Sequence, residues 1–594
     1  MSNDTEKSSG ILHWLDENFE NIFLVSGLLA IIFFITWQVI YRYFITPFID
    51  RAGAAVWTEE ISRYIFIWIS YLAVGVAIRK RSSIRIDFVY QMLPARLQRI
   101  SWIFVELIFL TLTLTIAYYG WGQIERLMRF PQHTAAMRIP FLIPYLILPL
   151  GFGLMSLRLV QSMVKQIRVT GALDSLIGAV LAVAVLSPCV LAEYIDPVPA
   201  LFGYFLVFCV TGVPIAIGLG MSALTTILCA DTLPIEYLAQ VSFTSLDSFP
   251  IMAIPFFIAA GVFMGAGGLS QRLLGLADEM VGGMYGGMAL TTVATCMFFG
   301  AISGSGPATV AAAGAIGVMT PPSNPFVVYG IAAQVSIGDL FIGGIVPGVL
   351  TGAVLMGYSY YAARKNNWRG SARVRTFGTV SRAVWDAKWA LLVPVIVLGG
   401  IYGGLMTPTE AAAVASFYGL IVGVFIYREL DFRKVCACCV EACETSAVII
   451  VLMATLFGNI MTIEDVPGTI ARAILSVTSS KITILLIINV LLLIVGVFME
   501  ALAAIVILVP ILLPIVTGVG ASPLHFGIIM VVNLAIGFLT PPVGVNLFVA
   551  SGISGTRIEQ IAKASLPMIA LMIFVLLLIT YIPAIPLCLV GGAG

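Results

Sequence analysis

Two short stretches of this sequence place helix-breaking residues and side-chain oxygens together inside strongly apolar surroundings. They are SGSGPATV (Ser303–Val310) and LTPPVGVNLF (Leu539–Phe548). Glycine and proline interrupt a helix and release backbone carbonyls, while serine, threonine and asparagine add hydroxyl and amide oxygens. Several such oxygens can bind a hard cation such as Na⁺, and helix N-termini at the same breaks present positive dipole ends to an anion. The stretches therefore predict cation and anion sites, the alternative being helix kinks satisfied by their neighbours.

Candidate ligands follow from an alignment of the two stretches on Gly300 and Gly537. Ser303 then matches Thr540, and Thr309 matches Asn546. The residues predicted to bind Na⁺ are Ser303, Gly304, Ser305, Thr540, Pro541 and Gly544. The residues predicted to contact an organic ligand are Ser305, Thr309, Asn546, Glu410 and Glu500.

Glu410 and Glu500 are single carboxylates within apolar runs, in the segments TPTEAA and GVFMEA. A carboxylate in a membrane is costly, so it indicates an ion, proton or substrate path by default. The alternative for each is a structural ion pair or a position at the level of the lipid headgroups.

The elements that carry these residues must be membrane helices. The chain has 594 residues, of which 60% are hydrophobic and only 10% charged, against roughly 25% charged in a soluble domain. Apolar runs long enough to span a bilayer extend from end to end. We predict an all-α polytopic fold of about 15–16 transmembrane helices plus re-entrant hairpins, with no room for a soluble catalytic domain. We therefore expect no enzyme.

Charge and motifs exclude two further classes of partner. The net charge of +1 argues against nucleic acid. No GxxxxGK[ST] loop occurs, so we expect no nucleotide site, and uphill work would have to be coupled to an ion gradient.

The first 170 residues form one unit of four apolar runs, near 21–41, 62–78, 101–120 and 140–160. The loop after the second run holds a cluster of basic residues, Arg79, Lys80, Arg81, Arg85, Arg96 and Arg99. The positive-inside rule places this loop in the cytoplasm, and with it the N-terminus. The N-terminal segment has no cleavable signal pattern, so the first run is expected to be retained. A fifth run at 172–192, within a connecting segment 171–199, leads outward.

The remainder, 200–594, contains two similar halves of about 200–363 and 389–590, separated by a basic loop that is expected to be cytoplasmic. SIGDLFIGGIVP, which begins at Ser336, matches TRIEQIAKASLP, which begins at Thr556. The first half starts outside and the second inside, so the C-terminus is expected outside. Opposed repeats of this kind are typical of secondary transporters, and the alternative is chance similarity. TPPSNP (Thr320–Pro325) is an unmatched break that we interpret as a turn.

Four of the nine cysteines cluster at Cys436, Cys438, Cys439 and Cys443. Three of them would share one helix face. No histidine lies nearby to complete a zinc site, so small buried residues are the favoured interpretation over a metal site.

At these residues the sequence resembles the tripartite ATP-independent periplasmic (TRAP) transporters. Residues 1–170 resemble the small membrane subunit, with WTEEISRY followed by a basic loop that ends in RIDF. Residues 200–594 resemble the large subunit in seven ordered motifs, among them PFFIAAGVFM, SGSGPATVAAAGAIG, GDLFIGGIVPG and TPTEAAA. The run 172–192 resembles the helix that joins the two subunits in fused members.

The resemblance implies a Na⁺-coupled importer of small organic anions in the bacterial inner membrane, with two or more Na⁺ sites and an elevator motion. It also implies a separate soluble periplasmic binding protein, and a permease that is a monomeric fused chain in the lipid bilayer. Carboxylates, sialic acids and sulfonates all suit such a site. Several family members carry Asp where Glu500 stands, which leaves the role of this carboxylate open. A stand-alone anion carrier and a membrane scaffold without transport remain the competing hypotheses.

Overall fold

The computed structural model describes most of the chain, namely residues 11–46, 55–80, 94–188, 195–230, 233–303, 312–370, 376–446, 448–477, 480–541, 544, 546–547, 550–551 and 556–590. Helices make up 84% of the structure. Within the described residues, β-structure is limited to an isolated bridge between His133 and Pro140. The all-α fold class is therefore confirmed.

Eleven helical segments among the described residues are long and apolar enough to cross a membrane, and six further apolar helices have 10–17 residues. A helix of 15 residues rises only about 22 Å, less than the hydrocarbon core of about 30 Å. A total of 15–16 transmembrane helices therefore requires some of the shorter helices to cross as well, and this count stays a prediction.

The N-terminal unit consists of four long helices. They are α1 (Ile11–Ile40), α2 (Val56–Lys80), α3 (Ala95–Arg129) and α4 (Ile147–Thr170). Each predicted apolar run lies in one of them, and the fourth run also includes the one-turn helix Leu142–Tyr145. Helix α5 (Ala172–Leu186) covers the first part of the fifth run.

A fully buried carboxylate ties three helices of this unit together. Glu20 of α1 accepts hydrogen bonds from Arg158 of α4, with Nε to Oε1 at 2.8 Å, and pairs with Arg79 of α2 at 3.3 Å. A buried carboxylate without a partner would cost several kcal/mol, so these two guanidinium groups fix the arrangement of α1, α2 and α4.

Among the described residues, the rest of the chain contains eighteen further helices of eight or more residues and the one-turn helix Ala584–Leu587. The first nine are α6 (Pro197–Val210), α7 (Ile215–Ala230), α8 (Glu236–Thr244), α9 (Ala253–Ala266), α10 (Leu269–Val281), α11 (Gly287–Ser303), α12 (Ala312–Met319), α13 (Asn324–Ala333) and α14 (Ile337–Lys365). The next nine are α15 (Phe377–Tyr402), α16 (Pro408–Ile421), α17 (Phe432–Thr445), α18 (Val448–Ile463), α19 (Val466–Val477), α20 (Lys481–Phe498), α21 (Ala501–Gly518), α22 (Pro523–Gly537) and α23 (Ile558–Tyr581). A π-helical turn, Val422–Ile426, continues α16.

Among the described residues, three ion pairs join the N-terminal unit to the part of the chain that follows α5. They are Arg42–Glu410 at 2.8 Å, Arg63–Asp247 at 3.0 Å and Lys80–Glu444 at 2.6 Å. They attach α1 and α2 to α16, to the segment before α9, and to α17. Burial raises the pKa of Asp247, and the nearby Arg63 opposes this shift.

Helices α11 and α22 lead to the two predicted breaks. Their first turns lie at opposite ends of α14. At the Lys365 end, the N–H of Gly286, just before α11, donates to the carbonyl of Trp368 (3.0 Å). At the Ile337 end, Gly343 of α14 packs against Ile528 in the first turns of α22. An inverted pair of repeats requires the two helices to begin at opposite ends of α14 in this way. The boundaries of the repeats stay a prediction.

Candidate functional site

The first break follows α11 directly. Ser303 is the last residue of that helix, and α12 begins at Ala312. Gly304, Ser305 and Thr309 lie outside the described residues, as does the side chain of Ser303. Their predicted contacts with Na⁺ and substrate therefore stay predictions.

The second break brings backbone carbonyls together around Gly544. The carbonyl of Phe538 accepts the N–H of Asn546 (3.1 Å), which folds the chain back on itself after α22. Gly544 has φ +37°, and a methyl group there would lie 3.1 Å from the carbonyl oxygens of both Phe538 and Thr540. Two carbonyl oxygens thus lie close to one position beside a glycine, as a cation site built from backbone oxygens requires.

The hydroxyl group of Thr540 keeps lone pairs available as acceptors. Its Oγ1 donates a hydrogen bond to the carbonyl of Ile536 (2.9 Å), so the hydroxyl proton is engaged at the end of α22. A hydroxyl oxygen has two acceptor lone pairs besides its proton. Thr540 can therefore offer a side-chain oxygen as well as its carbonyl, and Pro541 follows it directly.

Helices α20 and α22 lie side by side and run in the same direction, because Asn489 contacts Asn533 and Gly496 contacts Gly537. The glycine pair brings the two backbones into direct contact, as small residues do between membrane helices. Since both helices end within a few residues of this contact, the segments that carry Glu500 and Thr540 leave them at the same level. The structure thus relates two predicted site residues that are 40 positions apart.

Glu500 is the N-cap of α21. Its Oε2 accepts the N–H groups of Leu502 (3.1 Å) and Ala503 (3.2 Å), two of the donors that a helix start leaves unsatisfied. Among the described residues no hydrogen bond uses Oε1. One carboxylate oxygen therefore positions the helix and the other can accept a ligand.

Glu410 lies elsewhere, at the start of α16, and is almost completely buried. Its Oε2 accepts from the backbone N–H of Thr407 (2.9 Å) in a capping box and from Arg42 (2.8 Å). A contact with substrate would require Glu410 to leave these partners. Its predicted role in substrate binding stays a prediction.

A buried polar chain behind the second break was not among the predicted site residues. The amide of Asn533 donates to Oδ1 of Asn489 (2.5 Å), whose own amide donates to Thr580 Oγ1 (3.1 Å). These side chains link α20, α22 and α23, and Asn533 of α22 lies seven residues before Thr540 in the sequence. Asparagines inside uninterrupted apolar runs are the sequence signal that could have revealed them.

A cavity of about 480 Å³ lies between α13, α18, α21 and the segment that leads into α9. Its polar lining comprises Ser245, Ser248, Gln334, Thr455, Asn459 and Thr462. No Lys, Arg, Asp or Glu lines it within the described part of the chain. The cavity begins at Val506, about two turns beyond Glu500 on α21.

The structure also describes the TPPSNP segment and the cysteine cluster. The segment 320–323 is a short turn between α12 and α13, as predicted for TPPSNP. Cys438, Cys439 and Cys443 are buried on α17, and the described residues contain no group of three His, Cys, Asp or Glu that could hold a metal ion.

Comparison with known families identifies the class of protein. Residues 31–169 match the DctQ component of the tripartite ATP-independent periplasmic transporters, and residues 202–316 and 308–585 match the DctM component. The chain therefore belongs to the TRAP transporter family and carries both membrane components in one polypeptide.

Individual relatives differ in the substrate that their names give. The isethionate TRAP transporter permease DctMQ of Oleidesulfovibrio alaskensis is 62% identical, over 99% of this chain and 97% of the relative. The C4-dicarboxylate large permease DctM of Pseudomonas aeruginosa is 40% identical over 63% of this chain and 94% of the relative. The sialic acid permease SiaT of Haemophilus influenzae is 29% identical over 89% of this chain and 92% of the relative.

Family membership settles the broad function. The protein is a multi-pass permease of the bacterial inner membrane, a transporter of organic anions and not an enzyme. TRAP permeases work with a separate periplasmic binding protein, so the stand-alone carrier and the scaffold without transport are both set aside.

Proposed function

We propose that this permease imports isethionate or a closely similar small sulfonate together with Na⁺. The binding protein releases the anion at the outer face, and an elevator motion carries it inward. The observation that carries the Na⁺ coupling is the convergence of the Phe538 and Thr540 carbonyls at Gly544. These oxygens suit a hard monovalent cation because they supply partial negative charge without a second buried carboxylate.

The cavity near Glu500 supports co-transport of an anion with a cation. An anion in a cavity without cationic side chains is stabilised by helix dipoles, by hydroxyl and amide donors, and by a cation bound nearby. Na⁺ at the second break would supply that charge. Sulfonate specificity rests on the 62% identity with the isethionate permease over nearly its whole length.

The ion pairs between the N-terminal unit and the rest of the chain support a division into fixed and moving parts. All three reach α16, α17 or the segment before α9, and none among the described residues reaches α11–α14 or α20–α23. We infer that the elements around the two breaks move against the elements held by the N-terminal unit. In this arrangement the Lys/Arg-rich loops face the cytoplasm.

Uptake by the full chain in proteoliposomes tests the proposal. Radiolabelled isethionate, loaded on the binding protein, is supplied outside with either an inward Na⁺ gradient or an inward proton gradient. We expect accumulation only with Na⁺ and with the binding protein, and no effect of ATP. Equal uptake with the proton gradient in Na⁺-free medium would contradict the coupling, and preference for succinate or sialic acid would contradict the substrate.

A further inference from the structure

A second cavity, of about 500 Å³, lies away from the two breaks, where α10, α15 and the turn before α17 meet. The side chains that matter here are Arg272, Trp385, Asp386, Lys388, Tyr427 and Glu429. The cavity thus combines two cations, two carboxylates and aromatic rings.

The sequence around the cavity predicts a position at the boundary between the hydrocarbon core and the headgroup layer. Lys388 is the last charged residue before an 18-residue stretch, 389–406, that contains no Asp, Glu, Lys or Arg. On the neighbouring helix, the uncharged run from Ala411 ends at Tyr427, directly before Arg428. Trp385 is 68% exposed, and Trp and Tyr favour this interfacial layer.

One of the two cations is already neutralised. Arg272 Nη1 donates to Glu429 Oε1 (2.8 Å), and its guanidinium lies 3.6 Å from the ring centroid of Tyr427. This pair and its stacked ring form one wall of the cavity and leave little charge for a ligand.

The other two charges have no ion-pair partner among the described residues. The Lys388 ammonium lies 3.5 Å from the ring centroid of Trp385 and 5.5 Å from that of Trp389, so aromatic faces hold it in place. Asp386 engages Tyr427 only through its backbone carbonyl, which accepts the phenol proton (3.1 Å). One free ammonium and one free carboxylate therefore line the same cavity.

We propose that this cavity binds the headgroup of a zwitterionic phospholipid with a phosphate and a primary ammonium, the chemistry of phosphatidylethanolamine. Lys388 binds the phosphate, and the carboxylate of Asp386 accepts hydrogen bonds from the ammonium. The acyl chains lie along the apolar part of α15. A purely anionic headgroup would satisfy Lys388 but would place its phosphate beside Asp386. The proposal is independent of Na⁺ coupling and of the transported anion.

Native mass spectrometry of the purified full chain tests this site. The delipidated protein in detergent is titrated with phosphatidylethanolamine and, separately, with phosphatidylglycerol of the same acyl chains. We expect wild type to retain phosphatidylethanolamine preferentially. Asp386→Asn should lower phosphatidylethanolamine binding about fivefold and abolish the preference, since one ion pair at an exposed site is lost.

Two further variants separate the roles of the charges. Lys388→Gln should weaken the binding of both lipids, and Lys365→Gln, which removes an exposed lysine from the end of α14, should change neither. Unchanged phosphatidylethanolamine binding in both Asp386→Asn and Lys388→Gln, with wild-type thermal stability, would overturn the site. Equal affinity for soluble glycerophosphoethanolamine would assign it to a soluble ligand and overturn the lipid proposal.

Discussion

Gly496 and Gly537 are in backbone contact, so closely that a methyl group at Gly537 would lie 2.4 Å from the carbonyl carbon of Gly496. The obstruction is backbone, which cannot rotate away as a side chain can. This contact holds α20 against α22 immediately before the segments that carry Glu500 and Thr540.

Gly537→Ala should therefore destabilise the protein by about 1–3 kcal/mol, the usual cost of overpacking, and should lower transport. Thermal unfolding in detergent and isethionate uptake measure the two effects. Gly518→Ala is the matched control, because no atom lies within 4 Å of a methyl group at that helix end. Equal stability of the two variants would show that the helices separate without cost.

Gly544→Ala tests the carbonyl arrangement. A methyl group at Gly544 would press on the oxygens of Phe538 and Thr540 and displace them, so the Na⁺ concentration for half-maximal uptake should rise. Gly520→Ala provides the control, since Gly520 also has a positive φ (+73°) but open space around it. It should cost about 1–2 kcal/mol of backbone strain without a change in Na⁺ dependence. A similar shift in both variants would mean that strain alone is responsible.

Thr540→Ala removes one proposed Na⁺ ligand and little volume. We expect a loss of about 1–2 kcal/mol in Na⁺ binding, or roughly a tenfold higher Na⁺ requirement for uptake. Thr517→Ala is the control. The Thr517 hydroxyl makes the same hydrogen bond to the carbonyl four residues earlier, but at an exposed position in α21, so its removal should leave the Na⁺ requirement unchanged. Ser305→Ala should behave as Thr540→Ala does, and Ser476→Ala as Thr517→Ala does. Unchanged Na⁺ dependence in Ser305→Ala and Thr540→Ala would mean that the breaks are structural kinks.

Glu410→Gln separates an anchoring role from a role in substrate binding. Removal of the charge leaves Arg42 without its ion-pair partner, and we expect a loss of about 1 kcal/mol in the free energy of unfolding. The effects of Glu410→Gln and Arg42→Gln should not be additive in the double variant. A double-mutant cycle on thermal stability measures this coupling. A marked rise in the half-saturating substrate concentration, with unchanged stability, would instead favour substrate binding.

Three exposed arginines, in the last turn of α3 and in the loop that follows it, are expected to form a docking site for the binding protein. The positive-inside rule predicts that Arg126, Arg129 and Arg138 lie on the side opposite the basic loops. None of the three has an ion pair among the described residues. Two backbone N–H groups of their loop donate to Glu60, at 2.6 and 3.2 Å. Arg138 has φ +54°, a costly conformation for a non-glycine residue. Replacement of all three by Gln should raise the binding-protein concentration for half-maximal uptake and leave the maximal rate unchanged.

The matched control for the arginine loop is the triple variant of Arg364, Lys365 and Arg369, which are predicted to lie on the other side of the membrane. It removes the same number of charges and should leave this concentration unchanged. The difference between the two triple variants should shrink as salt is added, because exposed charges are screened.

Hydropathy alone was enough to predict the helices of the N-terminal unit, because each spans the bilayer as an apolar run. It placed the third run at 101–120, whereas α3 extends over Ala95–Arg129. The additional turns carry charged residues, among them Arg96, Arg99, Glu125 and Arg126, which lower the hydropathy average and so end the apolar run early.

The candidate site was predictable only in part. Gly and Pro marked the second break correctly, since helix α22 ends at Gly537, whereas residues 304–311 of the first break lie outside the described residues. The capping and ion-pair partners of Glu410 were not predictable, because Arg42 is 368 residues away in sequence. The Gly496–Gly537 contact and the Asn489–Asn533 bond likewise depend on which helices become neighbours, and one sequence does not contain that information.

The ion pairs of α1 and α2 with the rest of the chain also bear on gene architecture. Arg42, Arg63 and Lys80 form ion pairs with three separate elements of the large component, so the two components would recognise each other without a covalent link. The C4-dicarboxylate relatives, which match 63% of this chain, carry the large component alone. Joining the two reading frames therefore ensures that the two components are made in equal amounts and on one ribosome. The affinity between the components comes from the ion pairs on their surfaces.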